Sequence, residues 1–102
     1  RIWLQGNKIS DLRPLSGFSR LKLADLSNNK IFDISPLSKW VGIERLWLSQ
    51  NSISNLTPLS SIKETNQNVG LREIHIAGNP ISEEEKQKLM KALPKAFIKS
   101  TD

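Results

Sequence analysis

Residues 21–42 read LKLADLSNNKIFDISPLSKWVG, and residues 43–62 read IERLWLSQNSISNLTPLSSI. The two stretches share one apolar frame around an asparagine, and this frame recurs at intervals of 22, 22 and 28 residues, centred on Asn7, Asn29, Asn51 and Asn79. An isoleucine follows each asparagine by two residues (Ile9, Ile31, Ile53 and Ile81), and Pro-Leu follows three of them (Pro14-Leu15, Pro36-Leu37 and Pro58-Leu59). A pattern with a fixed period indicates one structural unit per repeat. The sequence therefore predicts a stack of four repeats.

Aliphatic frame residues alternate with other residue types just before each of these asparagines. The alternating stretches are Ile2-Trp3-Leu4, Ala24-Asp25-Leu26, Leu46-Trp47-Leu48 and Ile74-His75-Ile76. Alternation predicts a short strand with one face in the core and one in solvent. Stacked repeats would align these strands as a parallel sheet.

The asparagines themselves are predicted to be structural. Asn7, Asn29, Asn51 and Asn79 lie where the chain bends inward after each strand, and a carboxamide can satisfy backbone groups that would otherwise be buried without a partner. After the bend, Asp11, Asp33 and Asn55 suit turns. Ser35-Pro36 and Thr57-Pro58 predict short helices that a hydroxyl caps just before the proline.

The C-terminal residues have the pattern of a cap. Ser82 to Glu85 read as a capping box that opens a helix, which runs to about Leu93 and ends before Pro94. Its predicted apolar stripe is Leu89, Met90 and Leu93, and Ala96 to Ile98 suit a final strand-like stretch.

The frame matches L-x-x-L-x-L-x-x-N-x-L/I and resembles the leucine-rich repeats of the 22-residue bacterial class found in internalins. The resemblance implies an α/β fold, a right-handed solenoid with a parallel sheet on its concave face, turns or 3₁₀ segments on its convex face and a helical C-terminal cap. It also implies a scaffold that binds a macromolecule. Residues 1–81 would form four repeats and residues 82–102 the capping helix and tail.

Two features depart from the repeat pattern. The first repeat lacks its opening two residues, and a polar insertion, KETNQNVG near residues 63–70, lengthens the third. The insertion is either a contact loop or a tolerated bulge. Ile2 and Leu4 begin inside a strand, so we expect either further repeats upstream or self-association through this uncapped end.

The outward residues of the strands form columns on the predicted concave face. We predict that a protein partner binds there, on Arg1, Trp3, Gln5, Leu23, Asp25, Arg45, Trp47, Glu73 and His75. Trp and Arg dominate binding hot spots, and Trp3, Trp47 and Arg45 are the leading candidates. The alternative is that these aromatic side chains merely pack along neighbouring strand residues.

Trp40 shares its frame position with Phe18 and Ile62 and is predicted to be core.

Other polar groups have simpler interpretations. A metal role for His75 would need more ligands than Glu73, so we expect an ordinary solvated histidine. The acidic run from Glu83 to Glu85 fits the first turn of a helix. Five lysines follow, at positions 86, 88, 91, 95 and 99, and are interpreted as a solvated face rather than as a site for phosphate or an anionic surface.

Composition excludes several classes of function. The chain has 102 residues, a net charge of +5, no cysteine and one histidine, so it has no disulfide framework and no thiolate site. It contains no G-x-G-x-x-G, G-K-[ST], G-x-S-x-G or H-E-x-x-H motif and no apolar run long enough for a membrane span. We therefore expect a protein–protein interaction scaffold that is not an enzyme and has no cofactor. The alternatives are a structural or capping segment of a longer repeat protein, or a weak electrostatic binder of anionic surfaces. Nucleic acid is disfavoured as a partner, and an exported or a cytoplasmic location fits equally.

Overall fold

The computed structural model describes residues 1–18, 20–62 and 70–101, and it confirms the predicted repeat solenoid. Its strands are β1 (Ile2–Trp3), β2 (Leu23–Asp25), β3 (Arg45–Trp47), β4 (Glu73–His75) and β5 (Phe97–Lys99). They form one parallel sheet in the order β1-β2-β3-β4-β5. Three 3₁₀ helices (Arg13–Leu15, Ser35–Lys39 and Thr57–Ser61) lie between strands, and one α-helix, α1 (Glu83–Ala92), joins β4 to β5. The connector residues 63–69, which carry most of the predicted insertion, lie outside the described residues.

The sheet extends one strand beyond the four repeats. β5 pairs with β4, and Ile98 lies beside Ile74 in the register. The Ala96 to Ile98 stretch, predicted only as strand-like, therefore continues the ladder after the capping helix.

The core holds the inward residues of every repeat and runs along the solenoid axis. Trp40 is fully buried, and its indole Nε1 donates a hydrogen bond of 2.8 Å to the carbonyl of Leu15. Phe18 has the same frame position in the first repeat but is 44% exposed, because no earlier turn of the described chain packs against it.

The ladder asparagines join adjacent repeats. Nδ2 of Asn51 donates to the carbonyl of Leu48 at 3.0 Å and to that of Leu26, one repeat earlier, at 3.0 Å. Oδ1 of Asn51 accepts from the amide of Ile31 at 3.0 Å. Asn29 and Asn79 repeat this set of bonds. Each carboxamide thus satisfies backbone groups of two turns at once.

Asn7 is the exception that supplies a control. It is exposed, and its Nδ2 donates only to the carbonyls of Leu4 and Gln5 in its own turn.

We expect Asn51→Ala to lower the free energy of unfolding by about 1–3 kcal/mol, the cost of leaving a buried backbone group without a partner. Asn7→Ala should cost clearly less, because its bonds lie in solvent. Denaturant unfolding of both variants provides the measurement, and equal losses would show that the bonds between repeats add nothing.

The residue before each ladder asparagine adopts a left-handed backbone conformation. The φ angles are +73° at Gly6, +57° at Asn28, +58° at Gln50 and +74° at Gly78. The left-handed region favours glycine and tolerates asparagine, and glutamine is strained there. The sharp inward bend of each repeat therefore depends on this one position, which the apolar frame does not indicate.

Gly6→Ala and Gly17→Ala form a matched test of this bend. A Cβ at either position meets nothing within 4 Å, but only Gly6 has a positive φ. We expect Gly6→Ala to destabilise the chain by about 1 kcal/mol or more and Gly17→Ala to leave it unchanged or slightly stabilised. Thermal unfolding measures both, and the reverse order would contradict the assignment.

The predicted hydroxyl caps of the 3₁₀ helices are wrong. Ser35 and Thr57 are themselves the first helical residues, so their hydroxyl groups lie inside the first turn. The residues at the N-cap position are Ile34 and Leu56, whose side chains make no capping bond. The caps come from two residues upstream: Oδ1 of Asp33 accepts from the amide of Ser35 at 2.9 Å, and Oδ1 of Asn55 accepts from that of Thr57 at 3.0 Å.

Asp11 holds the equivalent place in the first repeat. Its carboxylate accepts hydrogen bonds from the side chain and the amide of Arg13, and these lower the pKa of Asp11 from 3.8 to about 2.

The capping helix also differs in two details from its prediction. The amide of Glu85 donates to Oγ of Ser82 at 3.1 Å, but the Glu85 carboxylate accepts from the amide of Leu56 at 3.0 Å rather than completing the capping box. Met90 is 49% exposed and lies outside the apolar stripe, since it is rotated about 100° around the helix from Leu89. Ala92 packs against the core instead.

Candidate functional site

The register sets the outward residues of the strands in columns on one face of the sheet, which we call the concave face. Trp3 lies beside Asp25, Asp25 beside Trp47, and Trp47 beside His75. In the next column, Leu23 lies beside Arg45 and Arg45 beside Glu73. These are the columns that the sequence predicts.

β5 adds two residues to this face that sequence reasoning missed. Phe97 lies beside Glu73, and Lys99 lies beside His75. The Ala96 to Ile98 stretch indicated a strand. Because this stretch follows a helix rather than an asparagine bend, the repeat frame does not indicate which of its side chains lie on the concave face.

Aromatic rings contact one another across three strands. The rings of Trp47 and His75 stack with centroids 5.1 Å apart and planes 11° apart. Phe97 meets the other side of His75 edge-on at 6.3 Å. Phe97 is 59% exposed, and Trp3 on β1 is 54% exposed. Large aromatic groups on a rigid sheet thus face solvent.

His75 is not the solvated histidine that the sequence predicts. Its side chain is only 17% exposed, since Trp47 and Phe97 cover its ring, and its Nε2 lies 2.6 Å from Oε2 of Glu73. Within the described ranges, no three histidine, cysteine or acidic side chains come together to hold a metal ion.

The remaining predicted residues are placed as follows. Arg1 lies over the Trp3 ring, with Cζ 5.9 Å from the centroid. Gln5 is exposed just after β1, and Leu23 is partly buried. Asp25 stands between the two tryptophans, but Oδ1 accepts hydrogen bonds from both the amide and the hydroxyl of Ser27.

Two solved structures superimpose on this chain over most of its length. Internalin C2 of Listeria monocytogenes superimposes with a TM-score of 0.83 at 27% identity over 97% of this chain. A leucine-rich-repeat protein of Leptospira interrogans superimposes with a TM-score of 0.78 at 30% identity over 93% of this chain. The chain has a leucine-rich-repeat fold and is similar to the internalin-like class.

This leucine-rich-repeat chain spans 40% of the length of internalin C2 and 24% of that of the Leptospira protein. No family model and no curated protein sequence matches it. Leucine-rich-repeat proteins generally mediate protein–protein interactions and are typically non-catalytic scaffolds.

On the concave face, the acidic side chains have hydrogen-bonding partners and two of the basic side chains have no ion-pair partner among the described residues. Glu73 is bonded to His75 and Asp25 to Ser27, whereas Arg45 and Lys99 are exposed and form no ion pair with any described residue. At the start of the strands, Lys22 and Glu44 approach within 3.5 Å. Glu73 and Asp25 are therefore hydrogen-bonded within their own strands and bends, while Arg45 and Lys99 have no ion-pair partner in the part of the chain that the structure describes.

The lysines of the capping helix have acidic side chains on the same helix. Lys88 lies 3.8 Å from Glu84 one helical turn away, and three glutamates occupy the first turn of α1.

No helix in the described part of the chain is long and apolar enough to cross a membrane.

Trp40 lies in the core and Trp47 on the concave face, so the two should respond differently to truncation. Trp40→Ala empties a fully buried site, so we expect a loss of about 3–5 kcal/mol of stability. Trp47→Ala removes a partly exposed ring and its stack on His75, so we expect a loss of about 1 kcal/mol. Chemical denaturation compares the two, and a larger loss for Trp47→Ala would reverse the assignment of faces.

Proposed function

We propose that this chain is a non-catalytic interaction module whose concave face binds a protein partner. The proposal rests on the aromatic side chains that lie on the concave face of the sheet. Trp3 and Phe97 are more than half exposed, and Trp47 stacks on His75 between them.

Rigidity supports this proposal. The asparagine bonds join the bends that follow β1 to β4, so the backbone of these strands is held in place before a partner arrives. A preorganised surface loses little conformational entropy on binding, and rigid aromatic groups are the commonest hot-spot residues.

A peptide-display library, panned on the immobilised chain, tests the proposal without requiring the natural partner. Selected peptides should bind the wild-type chain and lose about 2 kcal/mol or more of binding free energy, roughly thirtyfold in Kd, on Trp47→Ala. Trp3→Ala should weaken those peptides that reach β1.

Phe32→Ala is the matched control. Phe32 is 63% exposed but lies beside the 3₁₀ helix at Ser35–Lys39, away from the sheet. Peptides that depend on Phe32 and ignore both tryptophans would place binding on the convex side, and a library without any Trp47-dependent peptide would favour a purely structural segment.

A further inference from the structure

Six outward side chains of β3, β4 and β5 form a grid of two columns and three rows, which we call the aromatic–basic patch. Arg45, Glu73 and Phe97 make one column, and Trp47, His75 and Lys99 make the other. The patch includes Phe97 and Lys99, which the repeat frame alone does not place on this face.

Trp47 and Phe97 occupy one diagonal pair of corners of the grid, and His75 lies between them in the middle row. Trp47 stacks on His75, and His75 meets the edge of Phe97, so one continuous ring surface crosses the three strands. Because the Glu73 carboxylate is bonded to His75, the middle of the grid holds both ring and acid in fixed positions. A partner must supply an apolar or aromatic side chain to cover this diagonal.

The cations occupy the two remaining corners. Arg45 and Lys99 are exposed and have no ion-pair partner among the residues that the structure describes. The acidic side chains nearest in the columns, Glu73 and Asp25, already bond His75 and Ser27. The corners therefore favour negative charge from outside the chain.

The spacing of the corners sets the spacing of that charge. Arg45 and Lys99 are two strands apart and two residues apart along the strand direction, which gives about 12 Å between their Cα atoms. An extended peptide advances about 3.3 Å per residue and its side chains alternate between two faces, so carboxylates four residues apart span this distance on one face.

We infer, on the basis of the proposed function, that the partner presents an acidic segment to the aromatic–basic patch. The segment carries two carboxylates four residues apart, one at Arg45 and one at Lys99, and the apolar side chain midway between them lies on the Trp47–His75–Phe97 rings. The charge complementarity of these corners identifies the chemistry of the occupant.

A nucleic acid fits this patch less well than an acidic peptide. Its phosphates recur along the whole strand, and the fixed carboxylates of Asp25 and Glu73 lie in the same columns as the cations and repel them. A peptide can place charge at the corners alone.

The test starts from the same display library and reads the composition of the Trp47-dependent peptides. We expect them to be acidic, with two acids four residues apart and an apolar residue midway between them. The best one is synthesised with its amide counterpart, in which Asn or Gln replaces each acid. The amide peptide should bind at least about tenfold more weakly.

The matched variants test the corners themselves. Arg45→Gln with Lys99→Gln should weaken the acidic peptide at least about tenfold, since it removes both charges from the patch. Lys39→Gln with Lys91→Gln removes the same net charge from the second 3₁₀ helix and from α1, and should change the Kd less than about twofold. Thermal unfolding of both double variants confirms that the fold is intact.

The outcomes separate this inference from the proposed function. Trp47-dependent peptides that are neutral, or an amide peptide that binds as well as the acidic one, would overturn the acidic partner and leave the interaction module in place. The absence of any Trp47-dependent peptide would overturn both. Tighter binding of a short oligothymidylate than of the best peptide, lost on Arg45→Gln with Lys99→Gln, would assign the patch to nucleic acid instead.

Discussion

The structure depends on one repeated interaction, the hydrogen bonds of a buried asparagine to two successive turns. Each bend brings backbone groups out of the sheet and into the apolar interior, where an unpaired amide or carbonyl is costly. The carboxamide has both a donor and an acceptor, so Asn51 satisfies carbonyls of its own and the preceding turn and an amide at once. The alignment of the concave columns of β1 to β4 depends on this fixed distance between turns.

The repeat frame predicted the fold well because its signal is local and recurs. An inward Leu or Ile and a buried Asn have the same neighbours in each turn, so their roles follow from the period. The left-handed residue was missed since its side chain varies, from Gly6 to Gln50, while only its backbone is constrained. The caps at Ser35 and Thr57 were misplaced because Asp33 and Asn55 already supply the oxygen.

The candidate site was only partly predictable for a related reason. The columns of β1 to β4 follow from the period, but the environment of His75 depends on contacts between strands that are far apart in sequence. Its partner Phe97 comes from β5, which follows the helix and has no asparagine bend. A contact between the last repeat and the cap thus changes a solvated histidine into part of a fixed aromatic surface.

The intervals between strands vary, yet the register does not. Arg45 faces Glu73 across 28 residues of chain, just as Leu23 faces Arg45 across 22. The strand pairing therefore keeps the same register with connections of both lengths. We therefore expect a fluorophore tag or an affinity handle inserted between the third 3₁₀ helix and β4 to leave the aromatic surface aligned.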